Sequence, residues 1–341
     1  MYLPRIVDAE VERGLRVAGA LFLKGPRASG KTSTARQFAK SVIQLDRDTP
    51  EANLARMQPA LGIQGSRPRL IDEWQVVPAM WNEVRHAVDE SREKGQFLLT
   101  GSSTPEDDAA RHSGAGRIRS IQLRTLSLAE RGDLAERVSL GAIINGSQDP
   151  TAGTDATVED YARWIVAGGF PEFFGLDPLD AQEAMESYIT EMSEHDYPEL
   201  GGPRRDPRRF QSFLRAYAGL VAQPATAAAI RKRIGELSSA AAMPAAETVN
   251  VIHDFATRLF LVEDQPAWSP RTRSKTTMVQ MPKRQLADPG LAAALLAVGP
   301  EKLLGDLETL GILFEAQLVH DLRVYAQALR ARGVFPVSYT H

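Results

Sequence analysis

The chain has 341 residues, of which 43% are hydrophobic and 24% charged, and its formal net charge is −3. These values are typical of a soluble globular protein with about two domains and argue against a protein that coats nucleic acid. The sequence contains no cysteine, which excludes disulfides, thiolate zinc sites and thiol catalysis. A charged amino terminus and the lack of an apolar run of about 18 residues predict a cytoplasmic protein without a membrane segment.

The first predicted elements are a buried strand over residues 18–23 and a helix over residues 32–40, joined by a glycine-containing loop. The loop sequence GPRASGKTS fits the pattern GxxxxGK(S/T), in which inward-turned backbone N–H groups hold phosphates. Strand, loop and helix occur in the required order, which favours nucleotide binding over a glycine turn that merely caps a helix. We expect Lys31 to reach the β and γ phosphates of ATP and the Thr32 hydroxyl to bind Mg²⁺. The candidate ATP-binding residues are Gly25, Pro26, Arg27, Ala28, Ser29, Gly30, Lys31, Thr32 and Ser33.

Two further strands are predicted over residues 42–45 and 69–71, and the second runs directly into an acidic pair in the sequence LIDEWQ. We expect Asp72 to hold Mg²⁺ through water and Glu73 to polarise the water that attacks the γ-phosphate. A surface loop with two carboxylates is the alternative. The apolar approach to the pair, about 40 residues after the loop, favours the catalytic interpretation.

A fourth strand over residues 96–100 ends in hydroxyl side chains, at the strand end that normally faces a ligand in an open α/β sheet. Thr100, with Ser102 as the second choice, is a candidate to contact the γ-phosphate or the attacking water, although hydroxyls there also form turns. Arg117 precedes a fifth strand over residues 119–123. It is a candidate for stabilising the transition state, in its own subunit or across an interface, or else a solvated cation at the strand edge.

The alternation of these strands with helical patterns, including residues 81–93, predicts an α/β domain with a parallel sheet sandwiched by helices over residues 1–135. After that point the sequence pattern predicts mainly helical structure. We expect a helical linker region over residues 136–220 and a winged-helix-like part over residues 221–300, followed by a tail over residues 301–341.

The winged-helix-like part is predicted from a helix-turn-helix pattern over residues 224–264, which precedes two strand-like segments, FLVEDQPAWSP and MVQMPKRQLADPG. Basic side chains in this region are candidates for phosphate contacts with DNA. Solvated charge on a protein-binding or linker module is the alternative. These residues are Arg231, Lys232, Arg233, Arg271, Arg273 and Lys275.

Together the chain resembles a family of prokaryotic AAA-type ATPases whose P-loop domain is fused to a C-terminal domain of unknown function. The matching segments are GPRASGKT, LIDEWQ, LLTGSS, HSGAGRI, LSLAERG, GGFPE, FLVEDQPAWSP and DLETLGILFEAQLVHDLRVYA. The resemblance implies an AAA/ASCE-type P-loop NTPase sheet and a restriction-endonuclease-like tail that opens with a helix over residues 310–326. In that tail Glu315 is either a metal-site carboxylate or a helix-surface glutamate. The chain stops before the rest of such a site, and residues 337–341, VSYTH, resemble a translated sequencing adapter, so we expect a truncated tail.

Three functions follow from these patterns. The first is an Mg²⁺-dependent ATPase whose hydrolysis is coupled to a conformational change of the C-terminal half. The second is a nucleotide-gated module that binds a protein or DNA partner with little turnover. The third, a phosphotransferase, fits less well because no acceptor-binding motif is evident. The expected ligands are ATP and Mg²⁺, and the expected partner is a protein or a second copy of the chain. The prediction of a DNA partner depends on the basic residues alone.

Overall fold

The computed structural model describes residues 2–102, 114–132, 138–147, 153–198, 206–237, 243–267 and 281–330. The chain forms two compact units, Met1–Arg124 and Thr125–His341. Some residues singled out in the sequence lie outside the described ranges, namely Arg271, Arg273, Lys275 and the segment 337–341. Their predicted roles stay predictions.

The first unit contains a five-stranded parallel sheet in the order β2-β3-β4-β1-β5. This arrangement confirms the α/β fold expected from the alternation of strands and helices. The strands are β1 (Ala20–Lys24), β2 (Ser41–Gln44), β3 (Arg69–Asp72), β4 (Phe97–Gly101) and β5 (Ile118–Gln122). The helices are α1 (Asp8–Val17), α2 (Lys31–Arg36), α3 (Pro50–Met57), α4 (Pro59–Gly62) and α5 (Met80–Ser91).

Helices cover both faces of the sheet, and because successive side chains of each strand point to opposite sides, the buried side chains divide into two cores. One side forms a core with α5 and its neighbouring turn, and includes Phe22, Ile43, Ile71, Trp74, Trp81, Phe97 and Leu99. The other forms a core with α1 and α2, and includes Val11, Leu21, Leu23, Ala35, Leu70, Leu98 and Ile121. The central strands β1, β3 and β4 are buried nearly throughout, which explains the apolar runs that made them recognisable in the sequence.

Helix α2 is shorter than predicted, since it ends at Arg36 and not at Lys40. The N–H of Phe38 bonds to the carbonyl of Ala35, which tightens the chain into a turn at the end of the helix. The N–H of Lys40 then bonds to the carbonyl of Pro68, at the start of the pairing between β2 and β3. Sheet pairing therefore overrides the helical pattern of these residues.

The second unit is mainly helical, as predicted. Its largest fully buried side chains are aromatic, and include Phe170, Phe210, Phe213, Tyr217 and Phe255. A π-helical segment, Met192–Asp196, follows the fourth helix of the unit. The helices are α6 (Leu128–Arg131), α7 (Leu140–Ile144), α8 (Val158–Ala167), α9 (Pro178–Glu191), α10 (Pro207–Ala218), α11 (Ala227–Leu237), α12 (Ala246–Arg258), α13 (Pro289–Leu296), α14 (Pro300–Gly305) and α15 (Leu307–Arg330).

Antiparallel bridges follow the helix pair α11 and α12 in the region predicted to be winged-helix-like. Val262 pairs with Leu286, and Gln265 pairs with Lys283. Most of the connection between the two bridged segments, residues 268–280, lies outside the described ranges. The wing itself stays a prediction.

Candidate nucleotide site

The sheet order brings distant motifs to one edge of the first unit. Strand β4 lies between β1 and β3, and all three strands are parallel, so their carboxyl ends share one edge. Residues 25–32, called the P-loop below, follow β1 at this edge. Asp72 ends β3 there, and Thr100 lies near the end of β4.

The P-loop is held in shape by close packing and by its own hydrogen bonds. Gly30 has φ of +91° just before α2, and a Cβ on Gly25 would lie 2.1 Å from the carbonyl oxygen of Leu123. Both positions therefore require glycine. Ser29 is completely buried, and its hydroxyl donates to the carbonyl of Pro26 at 2.8 Å.

Lys31 lies inside the P-loop and is only 4% exposed. Its ammonium Nζ donates to the carbonyls of Gly25 at 3.1 Å and Pro26 at 2.7 Å. Burial lowers the pKa of Lys31 to about 8, although the nearby charges of Glu73 and Asp72 oppose this shift. Phosphate oxygens would give this buried ammonium charged hydrogen-bond partners in place of two neutral carbonyls.

Asp72 is 3% exposed and connects the elements at the strand ends. Its Oδ1 accepts hydrogen bonds from the hydroxyl of Thr32 at 2.7 Å and from the hydroxyl of Thr100. Its Oδ2 accepts from the Gln44 amide at 3.4 Å. Thr32 and Asp72, the predicted metal residues, are thus in contact and offer the oxygen ligands that Mg²⁺ prefers.

Glu73 follows Asp72 with φ of +53°, in the left-handed region that residues other than glycine seldom adopt. Its backbone N–H points at the Thr100 hydroxyl, at 3.4 Å. Its carboxylate Oε2 accepts from the Gln75 amide and from the Ser102 hydroxyl, the latter at 3.2 Å. The two hydroxyl candidates at the end of β4 therefore donate to different carboxylates: Thr100 donates to Asp72, and Ser102 donates to Glu73.

Arg117 is not brought to this cluster within its own chain. The carbonyl of Arg117 accepts from the N–H of Ala20, the first residue of β1, whereas the P-loop follows the last residue of β1. Five strand residues, roughly 16 Å, separate the two edges. The guanidinium Nε donates to Asp89 Oδ1 at 2.7 Å, and both side chains are about 40% exposed, 42% and 39%. Arg117 therefore lies at the opposite end of β1 from the P-loop and pairs with Asp89 there, and its role, in its own subunit or across an interface, stays a prediction.

Two contributors to the site were not assigned from the sequence. Arg5 is 7% exposed, and its guanidinium donates to the carbonyls of Ser29 at 3.0 Å and Arg124 at 2.8 Å. It thereby ties the amino-terminal segment to the P-loop, and no motif marks it. Gln75 lies within LIDEWQ, so its position beside Glu73 was the available signal.

Glu315, the remaining carboxylate candidate, lies on α15 of the second unit. Its Oε1 accepts from the Lys283 ammonium, and its side chain is 43% exposed. Within the part of the chain that the structure describes, no three histidine or carboxylate side chains converge to hold a metal ion. The contacts of Glu315 match the helix-surface alternative.

Two family models match separate parts of the chain. Residues 18–131 match a model described as AAA domain, and residues 158–302 match a domain of unknown function (DUF8612). The fold, the arrangement of the site and the first match are similar to those of AAA-type P-loop ATPases, and they support nucleotide binding by this part of the chain. It is followed by a region that matches a family of unknown function.

Relatives of known sequence extend the comparison. Uncharacterised proteins of Mycobacterium bovis and Mycobacterium tuberculosis are each 28% identical to this chain over 222 residues. The match covers 63% of this chain and 45% of each relative, so the chain spans less than half the length of the curated relatives it matches.

Among solved structures, a Walker-type ATPase of Pyrococcus abyssi has 13% identity and a TM-score of 0.49, covering 86% of this chain and 96% of that one. A likeness at that score does not establish a shared fold.

In the described ranges, none of the helices has the length and apolar character needed to span a bilayer.

Proposed function

We propose that this chain is an Mg²⁺-dependent ATPase whose nucleotide state changes the conformation of the C-terminal half. The observation that carries the proposal is the convergence of the P-loop with Asp72, Glu73 and Thr100 at one edge of the sheet. A P-loop supports phosphate binding, and the acidic pair supports metal binding and water activation. The succession of an AAA domain and a second matched region in one chain supports the coupling.

In this proposal Lys31 exchanges its two carbonyl partners for the β and γ phosphate oxygens of ATP. Thr32 and Asp72 would hold Mg²⁺, which supplies charge neutralisation on the same phosphates. Thr100 keeps Asp72 in place through its hydroxyl, since it is completely buried and bonded to that carboxylate.

Glu73 takes the role of general base. The oxygen of a water molecule attacks the γ-phosphorus, and the bond from that phosphorus to the bridging oxygen breaks. ADP leaves with the electron pair, and Glu73 accepts the proton that the water releases. The position of Glu73, directly after Asp72 and beside Thr100, supports this assignment.

Steady-state ATP hydrolysis by the full chain with Mg²⁺ tests the proposal, with Lys31→Ala and Glu73→Gln as variants. We expect Lys31→Ala to lose ATP binding, and Glu73→Gln to keep binding while turnover falls by about 100-fold or more. Glu90→Gln, an exposed glutamate on α5, is the matched control and should behave as wild type. Full turnover in Glu73→Gln, or none in the wild type, contradicts the proposal.

A nucleotide-gated binding module is the second candidate, and the helix pair α11 and α12 with its antiparallel bridges favours it. In this case the winged-helix-like part holds a protein or DNA partner, and turnover is secondary. Two of the basic residues predicted to contact DNA lie on α11 and pair with the carboxylate of Glu236. The distance is 3.8 Å from the Lys232 ammonium and 3.9 Å from the Arg233 guanidinium. Fluorescence anisotropy with a labelled DNA duplex, with and without ATP, separates the candidates: ATP-dependent binding without hydrolysis supports the module.

A further inference from the structure

Gln75 and Ser102 form a clamp on the carboxylate of Glu73, and neither residue has a role in the function proposed above. The Gln75 amide Nε2 and the Ser102 hydroxyl both donate to Glu73 Oε2. Gln75 reaches it from two residues along the chain, and Ser102 reaches it from the end of β4. The clamp therefore holds one carboxylate oxygen from two different strand ends.

The backbone after β3 is shaped for this contact. Glu73 adopts the left-handed conformation, with φ of 53° and ψ of 50°, and begins a short 3₁₀ helix, Trp74–Val76. The N–H of Val76 closes that turn on the carbonyl of Glu73 at 3.0 Å. Such a conformation persists in a side-chain-bearing residue only where the surrounding structure imposes it, and it is concentrated at functional sites.

Core packing imposes this turn. Trp74 is completely buried, and its ring lies 5.8 Å from that of Phe22 and 5.0 Å from that of Trp81. A Cβ on Gly101 would lie 2.8 Å from Gln75 Oε1 and 3.1 Å from Trp74 Nε1. The absence of a side chain at Gly101 therefore makes room for the Gln75 amide.

The stability of the fold does not by itself explain the position of the Gln75 amide. Its Oε1 is buried and has no hydrogen-bond partner among the described residues, which is unfavourable for folding. The other end of the amide, Nε2, is the end that binds Glu73. Unsatisfied buried polar atoms of this kind are expected where a side chain is kept for function.

We propose that Gln75 and Ser102 are positioning residues, which hold Glu73 by Oε2 so that Oε1 accepts the proton of the attacking water. The inference rests on the proposed ATPase function, in which Glu73 is the general base. Two donors on a single oxygen fix the rotation of the carboxylate and leave the second oxygen for the substrate.

The test compares Gln75→Met, which keeps the length of the side chain and removes the donor, with Ser102→Ala, in ATP hydrolysis by the full chain. We expect kcat to fall by about 10-fold to 100-fold, with KM for ATP within about twofold of wild type. Ser102→Thr keeps a hydroxyl and should recover most of the lost kcat. Gln58→Met, an exposed glutamine in the same unit, is the matched control.

A double-mutant comparison shows whether the clamp acts through Glu73. In the Glu73→Gln background, Gln75→Met should cause no further loss of single-turnover rate, because the group it positions is already gone. A further loss there, an unchanged or raised kcat in the single variants, or an equal loss of ATP binding overturns the inference. If Gln75→Met does not fold by circular dichroism, Ser102→Ala and Ser102→Thr carry the same comparison.

The two proposals fail in distinguishable ways. Full turnover in Glu73→Gln would show that Glu73 is not the general base. This result overturns the proposed function and the positioning role of the clamp with it. Loss of turnover in Glu73→Gln together with wild-type kcat in both Gln75→Met and Ser102→Ala overturns only the positioning role.

Discussion

Lys31 shows at the scale of one residue how the site is prepared for an anion. Its ammonium is 4% exposed and is bonded to two neutral carbonyls. Burial lowers its pKa to about 8 against the usual value near 10.5. A lysine with a lowered pKa binds fewer protons in the folded protein than in the unfolded chain, so its charge opposes folding below about pH 8 and this cost disappears as pH rises. Phosphates that pair with the ammonium reverse the shift.

ATP binding should therefore depend on pH through Lys31. Above about pH 8 the free protein must take up a proton before its ammonium can pair with phosphate. We expect the dissociation constant for ATP to rise about tenfold between pH 8 and pH 9.5, with proton uptake measurable by titration calorimetry in buffers of different ionisation enthalpy. An affinity that stays flat over that range would show that Lys31 is fully charged in the free protein.

At the scale of elements, a partly buried polar cluster joins two helices of the second unit to a bridged segment. The carboxylate of Asp264 accepts from Tyr217 of α10, from His253 of α12 at 3.1 Å, and from Arg284. Burial tends to raise the pKa of Asp264, but the bonds from His253 and Tyr217 and the charge of Arg284 outweigh it, and the pKa is lowered. The cluster therefore stabilises the charged form of Asp264.

Asp264→Asn should destabilise this part of the second unit. We expect the free energy of opening of α10 and α12 to fall by about 1–3 kcal/mol at neutral pH, since bonds to a charged group are lost. A lowered pKa stabilises the fold above the unfolded value, near pH 4, so the difference from wild type should shrink as pH falls below it. Hydrogen exchange in the two helices measures the effect. Asp254→Asn is the control, because Asp254 is 66% exposed in its pair with Arg258; an equal effect in both variants contradicts the prediction.

At the scale of the whole molecule, the parallel direction of β5 decides at which edge of the sheet Arg117 lies. Strand β5 pairs with β1 from Ala20 opposite Ile118 onward, which leaves Arg117 at the amino edge. If Arg117 acts on a γ-phosphate, it therefore acts on the site of a neighbouring subunit. Whether Arg117 takes part in hydrolysis therefore depends on whether the chain assembles into oligomers.

Arg117→Ala should leave ATP turnover per chain within about twofold of wild type in dilute protein, because the side chain lies at the far edge of its own sheet. The measurement is turnover against protein concentration, with sedimentation velocity on the same samples. Loss of turnover in the dilute variant contradicts the geometry. A loss that appears only where the wild type assembles would place Arg117 at an interface.

Much of the site follows from the sequence alone, because its chemistry depends on neighbouring residues. The P-loop and the pair Asp72 and Glu73 are short motifs next to strands buried on both faces, and both properties are visible as local patterns. The five strands and the α/β fold were predictable for the same reason. The mainly helical second unit was also recognisable from its periodicity.

Only the tertiary structure decided which of these residues meet. Strand β4 lies between β3 and β1, an order that depends on packing of the whole sheet, and this order places Thr100 on Asp72. The seating of Gln75 beside Gly101 and the contact of Arg5 with Ser29 join residues far apart in the chain. Local patterns specify elements and motifs, whereas contacts between distant residues arise only when the hydrophobic faces of those elements pack together.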